Sequence, residues 1–159
     1  MAYLGVVARW DLFWADVDPA VGSEQGGERR PVLVVSNDGF NTNFPVVTVL
    51  SCTKAKGKKR KVYSFEVVLP KGMVTAQHAS ILMPQQIRTI ARTRLLSRIG
   101  GITDLAIRAE IENRLLEHLD IAFEAESPET SWRRTSTRAC RPLSGRQSWR
   151  PATAQYPTR

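Results

Sequence analysis

Residues 1–101 alternate in short bursts rather than in helical waves. Bulky and polar residues alternate through Asp11–Val17 and again through Val62–Leu69 (VYSFEVVL), the period of a strand with one face turned inward. Pro31–Ser36 (PVLVVS) and Val46–Cys52 (VVTVLSC) are short β-branched runs that read as strands. Ser80–Met83, Gln86–Ile90 and Arg94–Ile99 complete the series, with turn residues between them. Helical pattern occurs once. Leu105, Ile107, Ile111, Leu115, Leu119 and Ala122 fall on one face of a helix over Leu105–Phe123, with Thr103 as expected N-cap and Asp104 at its positive end. Short strands closed by one helix predict a mainly β chain: a small, partly open barrel with a C-terminal helix packed on it.

Composition divides the chain in two. Residues 125–159 hold seven Arg, two acids, ten Ser or Thr and four Pro, and no Val, Ile, Met or Phe. A segment this poor in apolar surface does not offset the entropy of ordering it, so 1–124 is expected to be the folded domain and 125–159 a basic, disordered tail. The 159-residue chain carries 23 Lys and Arg against 15 Asp and Glu, a formal charge of +8, which favours a polyanionic partner. More than half of that excess lies in the tail, where Trp132 and Trp149 are able to stack on bases.

Other chemistries are disfavoured. No apolar run approaches the ~20 residues of a spanning helix. The start (MAYLGVVARWDLFW) lacks the basic flank and cleavage segment of a secretory signal, so the cytoplasm is expected. Cys52 and Cys140 stand far apart in unlike contexts, and neither they nor His78 and His118 show metal-ligand spacing. No metal or cofactor is expected. Two loops remain: Asp18–Arg30 (DPAVGSEQGGERR), long for a hairpin connection, and Lys54–Lys61 (KAKGKKRK), whose six cations suit either a phosphate grip or a solvated edge that deters strand pairing.

Segment 16–27 (DVDPAVGSEQGG) followed by 30–38 (RPVLVVSND) resembles the signature of the MazF/PemK toxins, endoribonucleases of bacterial toxin–antitoxin modules. Further similarities run in order: Cys52-Thr53, the segment 63–69 (YSFEVVL), 86–90 (QIRTI) and 100–104 (GGITD). The resemblance spans about residues 8–123 and omits the tail. It implies an SH3-like barrel that forms a homodimer and cuts single-stranded RNA or mRNA at short sequences without a metal. The 2′-hydroxyl attacks the adjacent phosphate, leaving a 2′,3′-cyclic phosphate and a 5′-hydroxyl. A cognate MazE-like antitoxin silences such toxins and binds DNA with them. The resemblance places the catalytic arginine on Arg30, with Arg29 beside it as rival, and the catalytic threonine on Thr53. Gln86 and Arg88 fall on a stretch that contacts RNA, and Ser23, Glu24 and Gln25 on a loop near the site. Lys54 and Lys56, at the start of the cationic loop, are the added RNA-binding candidates.

Internal transphosphorylation needs a proton removed, a proton delivered, and cations around a phosphorane carrying extra charge. A rigid guanidinium supplies planar, paired donors, and its ordinary pKa above about 12 makes it a stabiliser more readily than a base. A threonine hydroxyl donates to a phosphate oxygen. Two rival readings keep the fold: a non-catalytic inhibitor of DNA gyrase like the CcdB toxins, and an inactive RNA-binding barrel. The segment 119–124 (LDIAFE) lacks the tryptophan-ended helix terminus expected for gyrase poisoning. The sequence also departs from the family. Trp10 stands where relatives place glycine, and is strained if the backbone needs positive φ. Gln85 replaces an acid before QIRTI, a change that bears on base preference.

Overall fold

A computed structural model describes residues 2–55 and 61–122. Its strands are β1 (Asp11–Ala15), β2 (Arg30–Val34), β3 (Val46–Lys54), β4 (Val67–Leu69), β5 (Ser80–Ala91) and β6 (Leu95–Gly101). A short helix, α1 (Asp38–Asn43), follows β2, and α2 (Leu105–His118) follows β6. All strand pairs are antiparallel and form one curled sheet in the order β4-β5-β3-β2-β1-β6. The end strands β4 and β6 do not pair with each other, so the sheet is a half-barrel with one C-terminal helix.

The two β-branched runs are buried on both faces of the sheet. Leu33, Leu50 and Cys52 point to one cluster, with Leu12, Val67, Leu82 and Ile111. Val32, Val34, Val47 and Val49 point to the other, with Phe13, Ala15, Ile90 and Leu95. Successive residues thus serve opposite cores. The helix covers the first cluster through Ile107, Ile111 and Leu115.

Several local expectations are corrected. Asp104, not Thr103, caps α2: its Oδ1 accepts from the Ala106 and Ile107 amides at 2.8 and 3.3 Å. The helix ends at His118 rather than Phe123, with Asp120 in the left-handed region at φ +53°. Leu105 and Leu119, counted on its apolar face, are exposed. The strand expected over Val62–Leu69 shrinks to β4, because Tyr63–Glu66 is a turn closed by the Glu66 amide on Tyr63 O at 3.0 Å. Conversely, Ser80–Met83 and Gln86–Ile90 are one strand. Leu50 pairs with Ile87 and the next residue, Ser51, with Met83, so Pro84, Gln85 and Gln86 bulge out where proline has no amide to give. Helix α1 was not anticipated. Its residues (DGFNTN) have poor helix propensity and no apolar period, and only the Asn37 cap, accepting from the Phe40 amide at 2.8 Å, signals it.

Among the described residues no helix is long and apolar enough to cross a membrane. The basic tail and Lys56 lie outside the described residues.

Candidate active site

Strand register brings the two principal candidates together. Val32 pairs with Ser51 across β2 and β3. Continuing that register by one more step on the same face sets Arg30 opposite Thr53. Arg30 also pairs with Ala15 of β1 and Thr53 with Ile81 of β5, so both lie in the middle of the sheet, near strand ends. Both line a cleft of about 540 Å³, with Trp14, Cys52, Lys54 and Ser80 among its other walls. Arg29 is exposed, its guanidinium 5.3 Å from the centroid of the Trp14 ring. Arg29 lines the same cleft, but of the two adjacent arginines Arg30 alone is in the β1–β2 register.

The glycine-rich loop folds back onto Arg30. Gly27 adopts φ +131°, which side chains rarely tolerate, and a β-carbon on Gly26 would lie 2.5 Å from Asp18 Oδ1. Those glycines let the Asp18 carboxylate accept from the Gly27 amide at 2.8 Å. With the loop so turned, Arg30 Nε donates to Gly26 O at 2.5 Å and Arg30 Nη1 to Gln25 Oε1 at 2.9 Å. Arg94, which the sequence reading missed, fixes the base of the same loop by donating to the Asp16 and Asp18 carbonyls. No pattern around it marks that role.

A second cleft, of about 560 Å³, gathers most of the remaining candidates: Ser23, Glu24, Gln86 and Arg88, joined by Gln85 and Thr89. Gln86 grips the loop from both ends of its amide, accepting from the Gln25 amide at 3.1 Å and donating to Ser23 O at 3.4 Å. Arg88 donates to Val17 O at 3.0 Å. Glu24 shapes the loop by accepting from the Val21 amide at 3.1 Å. Gln25 thus links the clefts: its side chain holds Arg30 and its backbone holds Gln86.

Electrostatics assign Cys52 no nucleophilic part. Burial pushes its thiol up to about 12, against an opposing pull from Arg30, so it stays protonated at neutral pH. Among the described residues no three His, Cys, Asp or Glu side chains group as metal ligands do. Lys54 is exposed at the end of β3. The arrangement offers a guanidinium, a hydroxyl and an ammonium around one opening, donors suited to a phosphodiester and its developing charge.

Residues 8–119 match the family described as PemK-like, MazF-like toxin of type II toxin–antitoxin system. The chain is 38% identical over 118 residues to endoribonuclease EndoA of Bacillus subtilis, covering 74% of this chain and 95% of that protein. It is 35% identical over 121 residues to endoribonuclease MazF9 of Mycobacterium tuberculosis, covering 73% of this chain and 98% of that one. The crystal structure of MazF from Deinococcus radiodurans superposes with a TM-score of 0.62 at 26% identity, covering 73% of this chain and 98% of that one. A half-barrel of this topology, with a family match across nearly all its described residues, leads to one assignment: the chain belongs to the MazF-like, PemK-like toxins of type II toxin–antitoxin systems.

Proposed function

We propose that this chain, an endoribonuclease of the MazF-like toxin family, cuts single-stranded RNA at short sequences by internal transphosphorylation without a metal ion. The observation that carries the reading is the convergence of Arg30 and Thr53, from adjacent strands β2 and β3, on one cleft. In the proposed step the 2′-oxygen bonds to phosphorus and the bond from phosphorus to the 5′-oxygen breaks. The proton lost by the 2′-hydroxyl is balanced by one gained on the leaving oxygen. Products are a 2′,3′-cyclic phosphate and a 5′-hydroxyl.

Arg30 acts chiefly as electrostatic stabiliser of the phosphorane. Its fork already grips two oxygens, Gly26 O and Gln25 Oε1, and a phosphate presents two oxygens in the same manner. RNA binding thus exchanges Gln25 Oε1 for a non-bridging oxygen, and the loop opens as the substrate seats. Thr53 donates to the same phosphate. Gln86, Arg88, Ser23 and Glu24 meet the flanking nucleotides, where unstacked bases expose their edges, while Lys54 and Lys56 attract the backbone. The toxin works as a homodimer. A cognate antitoxin silences it by laying carboxylates over the cations that RNA would use.

The test is substitution of Arg30. Arg30→Ala should lower the cleavage rate by at least the roughly 100- to 1000-fold typical of one lost donor in a preorganised site. Its thermal unfolding should stay near wild type. Arg30→Lys, which keeps charge but loses the fork, should remain impaired. Wild-type rates in Arg30→Ala would remove Arg30 from the site.

A further inference from the structure

A pair of aromatic rings outside the two clefts has no part in either core. Tyr63 and Phe65 stack with centroids 5.2 Å apart and planes only 3° from parallel, and Tyr63 is 49% exposed. The turn that carries them is tied to the candidate RNA surface by one buried carboxylate. Glu66 Oε2 accepts from the Tyr63 amide at 3.2 Å, and Glu66 Oε1 accepts from Gln85 Nε2 at 3.1 Å. Because a carboxylate only accepts, the Gln85 nitrogen faces Glu66 and its oxygen is directed elsewhere. That Gln85 Oε1 is buried with no hydrogen-bond partner among the described residues.

Gln85 also lines two openings at once. One is the cleft that holds Gln86 and Arg88. The other, of about 460 Å³, is formed with Ser64, Phe65, Glu117 and His118. Its described walls carry no Lys or Arg, and Glu117 is ion-paired to Arg114 at 2.9 Å. An opening with the Phe65 ring in its wall, stacked in turn on Tyr63, an unpaired amide oxygen and no arginine or lysine suits a base rather than a backbone.

We propose that this opening is a nucleobase subsite, in which a nucleotide flanking the cut stacks its base on the Tyr63–Phe65 pair and gives an amino hydrogen to Gln85 Oε1. It rests on the endoribonuclease reading above and extends its substrate contacts beyond the two clefts. Glu66 is the positioning residue that holds platform and acceptor in register.

The experiment uses the full chain and RNA oligonucleotides built on its mapped cleavage sequence, with each flanking nucleotide made abasic in turn. In wild type, one position should cost about 5- to 150-fold in kcat/KM, the range of a single base stack, and mostly through KM. In Tyr63→Ala and Phe65→Ala the intact RNA should be cut as slowly as the abasic one, with no further penalty at that position. Tyr63→Phe, which keeps the stack, should restore the wild-type pattern, and thermal unfolding confirms that each variant folds. A penalty that persists unchanged in both alanine variants, or losses spread evenly over all positions, would overturn the subsite. So would alanine variants that weaken antitoxin binding alone, since that assigns the rings to a protein partner. Wild-type protein that cuts none of the oligonucleotides defeats the nuclease reading instead. Binding of the same RNA set, followed by fluorescence anisotropy, then decides the subsite: one position sensitive to the rings supports it and none overturns it.

Discussion

Trp10 has a backbone that suits glycine and a side chain that does not. It sits at φ +74°, where a β-carbon costs about 1–2 kcal/mol. The conformation is imposed by neighbours on both sides: Trp10 N donates to Val34 O and Ile102 N donates to Trp10 O, each at 2.9 Å. Against that cost stands the ring, only 8% exposed among Leu12, Leu33 and Ile111. The guanidinium of Arg9 lies 4.6 Å from the Trp10 ring centroid, and that of Arg108 5.4 Å. Trp10→Ala keeps the strain and loses the ring, a truncation that costs about 3–5 kcal/mol. Trp10→Gly loses the same ring but relieves the strain, so its net cost is about 2–3 kcal/mol. Stability should therefore fall in the order Trp, Gly, Ala, with glycine above alanine, the reverse of their order in regular strands and helices. At about 4 °C per kcal/mol for a domain of this size, the glycine variant melts about 10 °C below wild type. Urea unfolding followed by circular dichroism measures all three. A glycine variant as stable as wild type would refute the contribution of the ring, and equal glycine and alanine variants would refute the strain.

Gln25→Glu places a carboxylate on Arg30, where it competes with phosphate; KM for RNA should rise by about tenfold or more, and an unchanged KM would contradict the exchange of Gln25 for substrate. Asp104→Ala removes the cap on the Ala106 and Ile107 amides and should cost about 1 kcal/mol, whereas loss of the Thr103 hydroxyl should cost little. The Cys52 thiol, pushed up by burial to about 12 from the ordinary 9.0, keeps its proton where the unfolded chain has lost its own. The unfolded state then binds fewer protons, and this contribution to stability falls as pH rises through that interval, at most tenfold per pH unit in the folding equilibrium. The margin of wild type over Cys52→Ala should shrink from pH 9 to pH 11, and parallel curves would contradict the burial of the thiol. Deleting residues 125–159 should reduce the salt slope of RNA binding by about 0.7 for each phosphate the tail contacts; an identical slope would show that the tail touches none.

What was legible in the sequence was whatever periodicity or motif encodes directly. Period-two alternation and the β-branched runs marked β1, β2 and β3, because side chains of a strand must choose faces. Arg30 and Thr53 were marked by the family resemblance, and the fold brings both to one cleft. The less legible features depend on partners distant in sequence. Glu66 has no local pattern that announces Gln85, nineteen residues away. Arg94 reaches two carbonyls 76 and 78 residues away. The bulge at Pro84–Gln86 broke the alternation and made one strand read as two. The alternation in 62–69 was genuine, but Glu66 is buried through hydrogen bonds and folds its turn inward.

On the proposed mechanism Arg30 of β2 and Thr53 of β3, in one cleft, support transphosphorylation with no metal. The direct measurement is end-group analysis of RNA cut by the purified toxin in the presence of EDTA. The account predicts full cleavage, with a 2′,3′-cyclic phosphate on the upstream product and a 5′-hydroxyl on the downstream one. Cleavage that requires magnesium, or that leaves 5′-phosphate ends, would contradict it.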